Sequence, residues 1–116
     1  PLFTLQERTE LARAATAHLP NVSVEPFDGL LVDFARERGA TVLVKGLRAI
    51  TDFEYEFQMA ALNYHLDSNL ETAFIMSPPE YMYLSSSVVR EIASLHGDVS
   101  DFVPKCVRDA LEKKFS

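Results

Sequence analysis

One cysteine, Cys106, is all the thiol chemistry the 116-residue chain holds. A single thiol closes no internal disulfide, and no CxxC pair or Cys/His spacing suited to zinc is present. His18, His65 and His96 likewise have no ligand-like spacing, so no protein-held metal is expected. Basic residues are scarce too, with 11 Lys and Arg against 17 Asp and Glu for a net charge of -6. Such a chain lacks the basic face that neutralises a nucleic-acid backbone, which excludes nucleic acid as a partner and leaves small phosphorylated ligands open. No apolar run approaches the roughly 20 residues that span a bilayer. The opening PLFTLQER lacks the charged start and apolar middle of a signal peptide. No membrane partner and a reducing cytoplasm are the expectation. Internal repeats, low-complexity tracts and Ser/Gly linkers are absent, so residues 1–116 are read as one domain. A nucleophile elbow and Cys/His or Ser/His/Asp arrangements are missing as well.

What is present is a 47% apolar chain, ordinary for a globular protein. Thr4 with Glu7 three residues on is a capping box, predicting a helix to about His18 on an apolar face of Leu5, Leu11, Ala12, Ala15 and Leu19. Asn21 to Glu25 alternates around Val22 and Val24 and predicts a short strand ended by Pro26. A helix from Leu30 to Arg38 with Gly39 as its stop follows, then a buried strand over Thr41 to Val44. Thr51 or Asp52 is the expected cap of a long helix to about Leu66, apolar nearly all round and so expected to be buried on more than one side. Thr72 to Met76 predicts a third strand, Ser85 to Ser87 a helix to about Leu95 stopped by Gly97, and Pro104 a last helix to about Lys114. Strands alternating with helices predict an α/β fold with a parallel sheet. In such sheets ligands sit beyond the carboxyl ends of strands. The segments FDGLL, KGLR and SPPEYMYLSSS each follow an expected strand and are expected to converge on one face.

KGLR has a specific physical sense. Gly46 lets the backbone approach an oxygen closely, while Lys45 and Arg48 aim charge at it, so phosphate is the natural ligand; the alternative is a solvated strand end with incidental basic residues. Ser85, Ser86 and Ser87 put hydroxyls and unpaired N–H groups at a helix N-terminus, where the dipole favours an anion. Simple capping is the other reading, though one serine suffices for it. Glu54 and Glu56 are two apart and do not face the same way on a helix.

KGLRAITDFEYEFQMAALN, YLSSSVVREIA and GDVSDFVP together resemble bacterial phosphopantetheine adenylyltransferases, with the likeness running from PLFTLQER to the last helix. The resemblance implies a Rossmann-like nucleotidyltransferase that joins ATP and 4'-phosphopantetheine into dephospho-coenzyme A and pyrophosphate, with Mg2+ carried by ATP. It implies that Lys45 holds the pantetheine substrate and that Gly46, Leu47, Arg48 and Glu56 contact ATP. Tyr81, Met82, Tyr83, Leu84, Ser85, Ser86 and Ser87 match the ATP-binding loop, with Ser86 best placed to touch phosphate. Leu31 matches a backbone contact to the pantetheine arm, and Leu30, Met59 and Asn63 line the same channel. Lys45, Arg48 and Ser86 are thus the candidate catalytic residues. Coenzyme A as feedback inhibitor and a homohexamer are implied as well.

Met82 stands where the family commonly has serine and Tyr64 where it has a basic residue, which puts side-chain hydrogen bonds there in question. The family also begins with a strand, a TxGH motif, a helix, a second strand and a substrate-binding lysine that this sequence does not contain. The expectation is the C-terminal portion of such an enzyme, lacking the N-terminal strand-helix-strand. Two other readings stay beside it: a sister adenylyl- or cytidylyltransferase with another acceptor, and a non-catalytic nucleotide- or coenzyme A-binding fragment.

Overall fold

The computed structural model describes the backbone of residues 1–116 and all side chains except those of residues 50 and 51. Helix α1 (Leu5–Thr16) is followed by α2 (Leu31–Glu37), β1 (Val42–Leu47), α3 (Ile50–Leu66), β2 (Glu71–Met76), a 3-10 turn (Pro79–Tyr81), α4 (Ser86–Ser94) and α5 (Lys105–Lys114). The chain forms two compact units, one of residues 27–83 and one of residues 1–26 with 84–116.

The first unit contains the sheet. β1 and β2 pair in parallel from Val42↔Glu71 to Leu47↔Met76, joined through α3, which bears out the α/β class. Leu43, Lys45 and Leu47 point to one face with Thr72 and Phe74, and that face is partly covered. Val32 and Ala35 of α2 form a small core there with Leu70 and Leu43, and Phe53 of α3 meets Phe74. Val44 at 65% and Ile75 at 62% exposure mark the opposite face, which is bare. α2 ends as expected on Gly39 at φ 69°, with the Gly39 and Ala40 N–H groups donating to the Arg36 and Ala35 carbonyls.

The second unit packs α4 and α5 around Val89, Ala93, Val99 and Leu111. α1 joins it at its margin, with no fully buried residue of its own. The capping box forms as expected: the Glu7 N–H donates to Thr4 Oγ1 at 3.1 Å and the Thr4 N–H to Glu7 Oε1 at 3.0 Å. Lys114 on α5 lies 3.1 Å from Glu7 and ties the two helices together.

Four expectations need correction. Asn21 to Glu25 is not a strand; the Val22 N–H turns back to the Leu19 carbonyl, and the Val24 carbonyl accepts from Arg13 Nε and Nη2 at 3.2 and 3.0 Å. Backbone groups taken by a turn and a side chain leave no ladder for a sheet neighbour. FDGLL therefore follows no strand. Next, β1 runs on to Leu47 rather than stopping at Val44, so three of the four KGLR residues are strand residues. Finally, α3 begins one residue beyond Ala49, the N-cap, which caps through no side chain. Asp52 lies in its first turn, and the cap expected at Thr51 concerns a side chain outside the described residues. This helix is not buried on more than one side either: Phe53, Tyr55, Phe57, Leu62, Tyr64 and Leu66 are all exposed.

Candidate active site

The covered stripe of α3 runs through Asp52, Glu56, Met59 and Asn63, with Ala60 beside Met59 also half-buried. Spaced four, three and four apart, the first four share one helical face. Three of these five are polar, while Tyr55, Phe57 and Tyr64 face outward. That inverts the usual pattern, in which a helix hides its apolar face. A helix that covers carboxylates and an amide places chemistry where a core is expected.

The carboxylates meet the two cations of KGLR. Lys45 Nζ of β1 lies 2.5 Å from Glu56 Oε2, and Arg48 Nε, just past the strand, lies 3.2 Å from Asp52 Oδ2. Both Lys45 and Glu56 side chains are about three-quarters buried, so their charge-assisted bond is less screened than a surface pair. Asp52 sits in the first turn of α3, where the positive end of the dipole favours a carboxylate. Glu54 lies off this face and is exposed.

The other site candidates divide by environment. Leu47 is 1% exposed and its carbonyl accepts the Ser77 N–H, so its side chain belongs to the core. Gly46 pairs with Ile75 on the bare sheet face, where a Cβ would meet nothing within 4 Å. Packing thus does not demand glycine there. Asn63 is 5% exposed, and among the described residues its Nδ2 has no hydrogen-bond partner. Leu30 is the exposed N-cap of α2 and Leu31 its half-buried first residue. Tyr81 and Tyr83 are exposed and Met82 is half-buried. Tyr64, on α3, is exposed.

In the other unit, Leu84 packs on the helical core and Ser85 caps α4, its hydroxyl oxygen accepting the Val88 N–H at 3.2 Å. Ser86 and Ser87 are exposed in the first turn, and Arg90 Nη2 donates to Ser87 Oγ at 3.4 Å. One serine does the capping, and two more present hydroxyls at the helix start.

Among the described residues, no three His, Cys, Asp or Glu side chains gather as a metal cluster. Asp52 and Glu56 are each engaged by a cation. Also among the described residues, no helix is long and apolar enough to cross a membrane.

A profile of cytidylyltransferase-like proteins matches residues 1–92. The phosphopantetheine adenylyltransferase of Symbiobacterium thermophilum is 56% identical over 116 residues, covering 100% of this chain and 72% of the relative. The chain belongs to the phosphopantetheine adenylyltransferase family. A second relative of that name, from Caldanaerobacter subterraneus, is 52% identical over 115 residues, covering 99% of this chain and 72% of its own length. Family membership rests on the whole chain, including α5, which lies beyond the cytidylyltransferase-like match. Sequence reasoning reached Lys45, Arg48 and Glu56 but missed Asp52, which was read only as a helix cap. The signal was there: four residues separate Asp52 from Glu56, the spacing of a shared helical face, and four separate it from Arg48 just before the helix.

Proposed function

We infer that this chain transfers the adenylyl group of ATP to 4'-phosphopantetheine, giving dephospho-coenzyme A and pyrophosphate, a step of coenzyme A biosynthesis. The observation that carries this reading beyond family membership is the pair of cations at the end of β1, each steadied by a carboxylate of α3. Cations held in place at a strand end suit a phosphate ligand. Lys45 then holds the acceptor phosphate, and Arg48 stabilises charge at the phosphoryl group in transfer. Gly46, Leu47 and Glu56, with residues 81–87, contact ATP, and Ser86 reaches phosphate from the first turn of α4. Leu47 does so through its backbone.

The pantetheine arm runs along Leu30, Leu31, Met59 and Asn63. The buried Asn63 Nδ2, lacking a partner, supports this because an amide donor waiting there suits the amides of the arm.

In the reaction an oxygen of the acceptor phosphate bonds to the α-phosphorus of ATP as the bond from that phosphorus to the departing pyrophosphate breaks. No covalent enzyme intermediate is required, and rate comes from alignment and charge stabilisation. Mg2+ enters with ATP as part of the substrate, keeping phosphate and water ligands as that ion usually does. Residues 1–116 work as one nucleotidyltransferase domain in the cytoplasm, within a homohexamer, with coenzyme A as feedback inhibitor.

The test offers the native enzyme ATP or CTP with 4'-phosphopantetheine and follows pyrophosphate release and product mass. Dephospho-coenzyme A from ATP is the expected product. Preference for CTP, or for a different acceptor, would indicate a sister transferase, and binding without turnover a coenzyme A-binding protein.

A further inference from the structure

Asp52 has no substrate-contacting role in the function proposed above, and Glu56 has one only towards ATP. The geometry gives both another. They lie one turn apart on the covered face of α3, and each grips one cation of KGLR: Glu56 the Lys45 ammonium at 2.5 Å, Asp52 the Arg48 guanidinium at 3.2 Å through Nε, its donor nearest the stem. We propose that Asp52 and Glu56 are positioning residues, a carboxylate rail on α3 that aims Arg48 and Lys45 at the two phosphates of the reaction.

The argument is one of entropy and direction. Lysine and arginine carry long stems with many rotamers, and a cation free to sample them is seldom where a reacting phosphate needs it. A carboxylate fixed on a helix removes that search before substrate arrives. Two carboxylates opposite two cations also leave the corner nearly neutral, so what it offers a phosphate is directed N–H donors rather than net charge. The helix supplies the spacing, because residues four apart stand one above the other. Arg48 lies just before α3 and reaches Asp52 four residues on, whereas Lys45 sits in β1, so the strand and helix must pack in register for the Lys45–Glu56 pair to form.

This inference rests on the adenylyl transfer proposed above, and the two pairs are separable because their cations act on different quantities. In the native enzyme, E56Q is expected to raise KM for 4'-phosphopantetheine about 3–10-fold, and less than twofold further in a K45A background. D52N is expected to lower kcat about 3–10-fold with the acceptor KM within twofold, and to add less than twofold to R48A. A purely structural pair would shift melting temperature and leave this split between KM and kcat unmoved. Melting curves on each variant confirm that it is folded. An active parent with additive effects in either cycle overturns the inference alone. A parent that forms no dephospho-coenzyme A overturns the proposed function and the inference together.

Discussion

Asn63 combines near-complete burial with an amide donor that has no partner among the described residues. Leaving such a group unsatisfied costs about 1–3 kcal/mol, so a side chain kept there for stability alone would be apolar. Asn63→Leu should therefore hold or raise the melting temperature while raising KM for 4'-phosphopantetheine about tenfold, the loss of one good hydrogen bond to substrate. Lower stability with unchanged KM would show that the amide serves the fold. Arg48 has the opposite profile. It is partly exposed, and its ion pair with Asp52 is of the surface kind worth little to stability. Arg48→Ala is expected to leave the melting temperature nearly unchanged and cut turnover about 10²–10³-fold, the usual effect of removing one preorganised donor from a developing charge. A variant within threefold of the parent would take Arg48 out of the mechanism.

At the scale of elements, two helices end in the same motif with different residues. α2 and α4 both close with the last N–H groups returning to carbonyls of the final turn, but the left-handed position is Gly39 in one and His96, at φ 62°, in the other. A side chain in that region is strained, so His96→Gly should stabilise the protein by about 0.5–1 kcal/mol after allowing for the added freedom of the unfolded chain. Thermal unfolding of the variant reads this directly. The neighbouring glycine is needed for a different reason: a Cβ on Gly97 would lie 2.7 Å from Ile92 Cγ2 and 3.1 Å from its carbonyl oxygen. A β-branched side chain in a helix has little room to turn, so Gly97→Ala should cost about 1–3 kcal/mol.

The start of α1 carries a pH dependence. The Thr4 backbone N–H, and after it Lys114, hold the Glu7 carboxyl below the usual range, as the Ser100 N–H does for Asp98. A carboxyl with a depressed folded-state pKa stabilises the fold above its unfolded value, near 4.3 for glutamate, and loses that contribution as pH falls through the folded value. The melting temperatures of the parent and Glu7→Gln should thus differ most near neutral pH and converge below about pH 4. A gap that stays constant to pH 3 would mean that the Glu7 charge does not support the cap.

Over the whole molecule, apolar surface lies open in two places within the sheet unit: the bare face with Val42, Val44 and Ile75, and the outward side of α3 with Phe57, Leu62, Tyr64 and Leu66. Among the described residues β1 and β2 are moreover both edge strands, each with one neighbour. Contiguous apolar patches and unpaired strand edges promote association. The 116-residue chain by itself should therefore sediment as a species heavier than its 13.0 kDa monomer. Replacing Val44 and Ile75 with lysine, which places charge on the bare face, should shift the distribution towards monomer. Sedimentation of a single 13.0 kDa species for the parent would show that these surfaces do not drive self-association.

Local chemistry made much of this legible from the sequence. The Thr4 and Glu7 capping box, Gly39 at the end of α2, Ser85 before α4 and Pro104 before α5 each act within a few residues, so their effects do not depend on distant parts of the chain. The parallel α/β pattern and the basic corner were legible for the same reason. What the sequence could not settle is whatever depends on a neighbour. Asn21 to Glu25 alternates like a strand, but alternation supplies no partner, and Arg13 took its backbone carbonyl instead. The composition of α3 suggested burial all round, yet only packing against the sheet decided that the covered stripe would run through Asp52, Glu56, Met59 and Asn63. Residue types and their local spacing were enough to indicate phosphate chemistry at KGLR. That Glu56 would hold Lys45 was decided by the register of a strand against a helix, a property of tertiary packing, whereas Arg48 and Asp52 are only four residues apart.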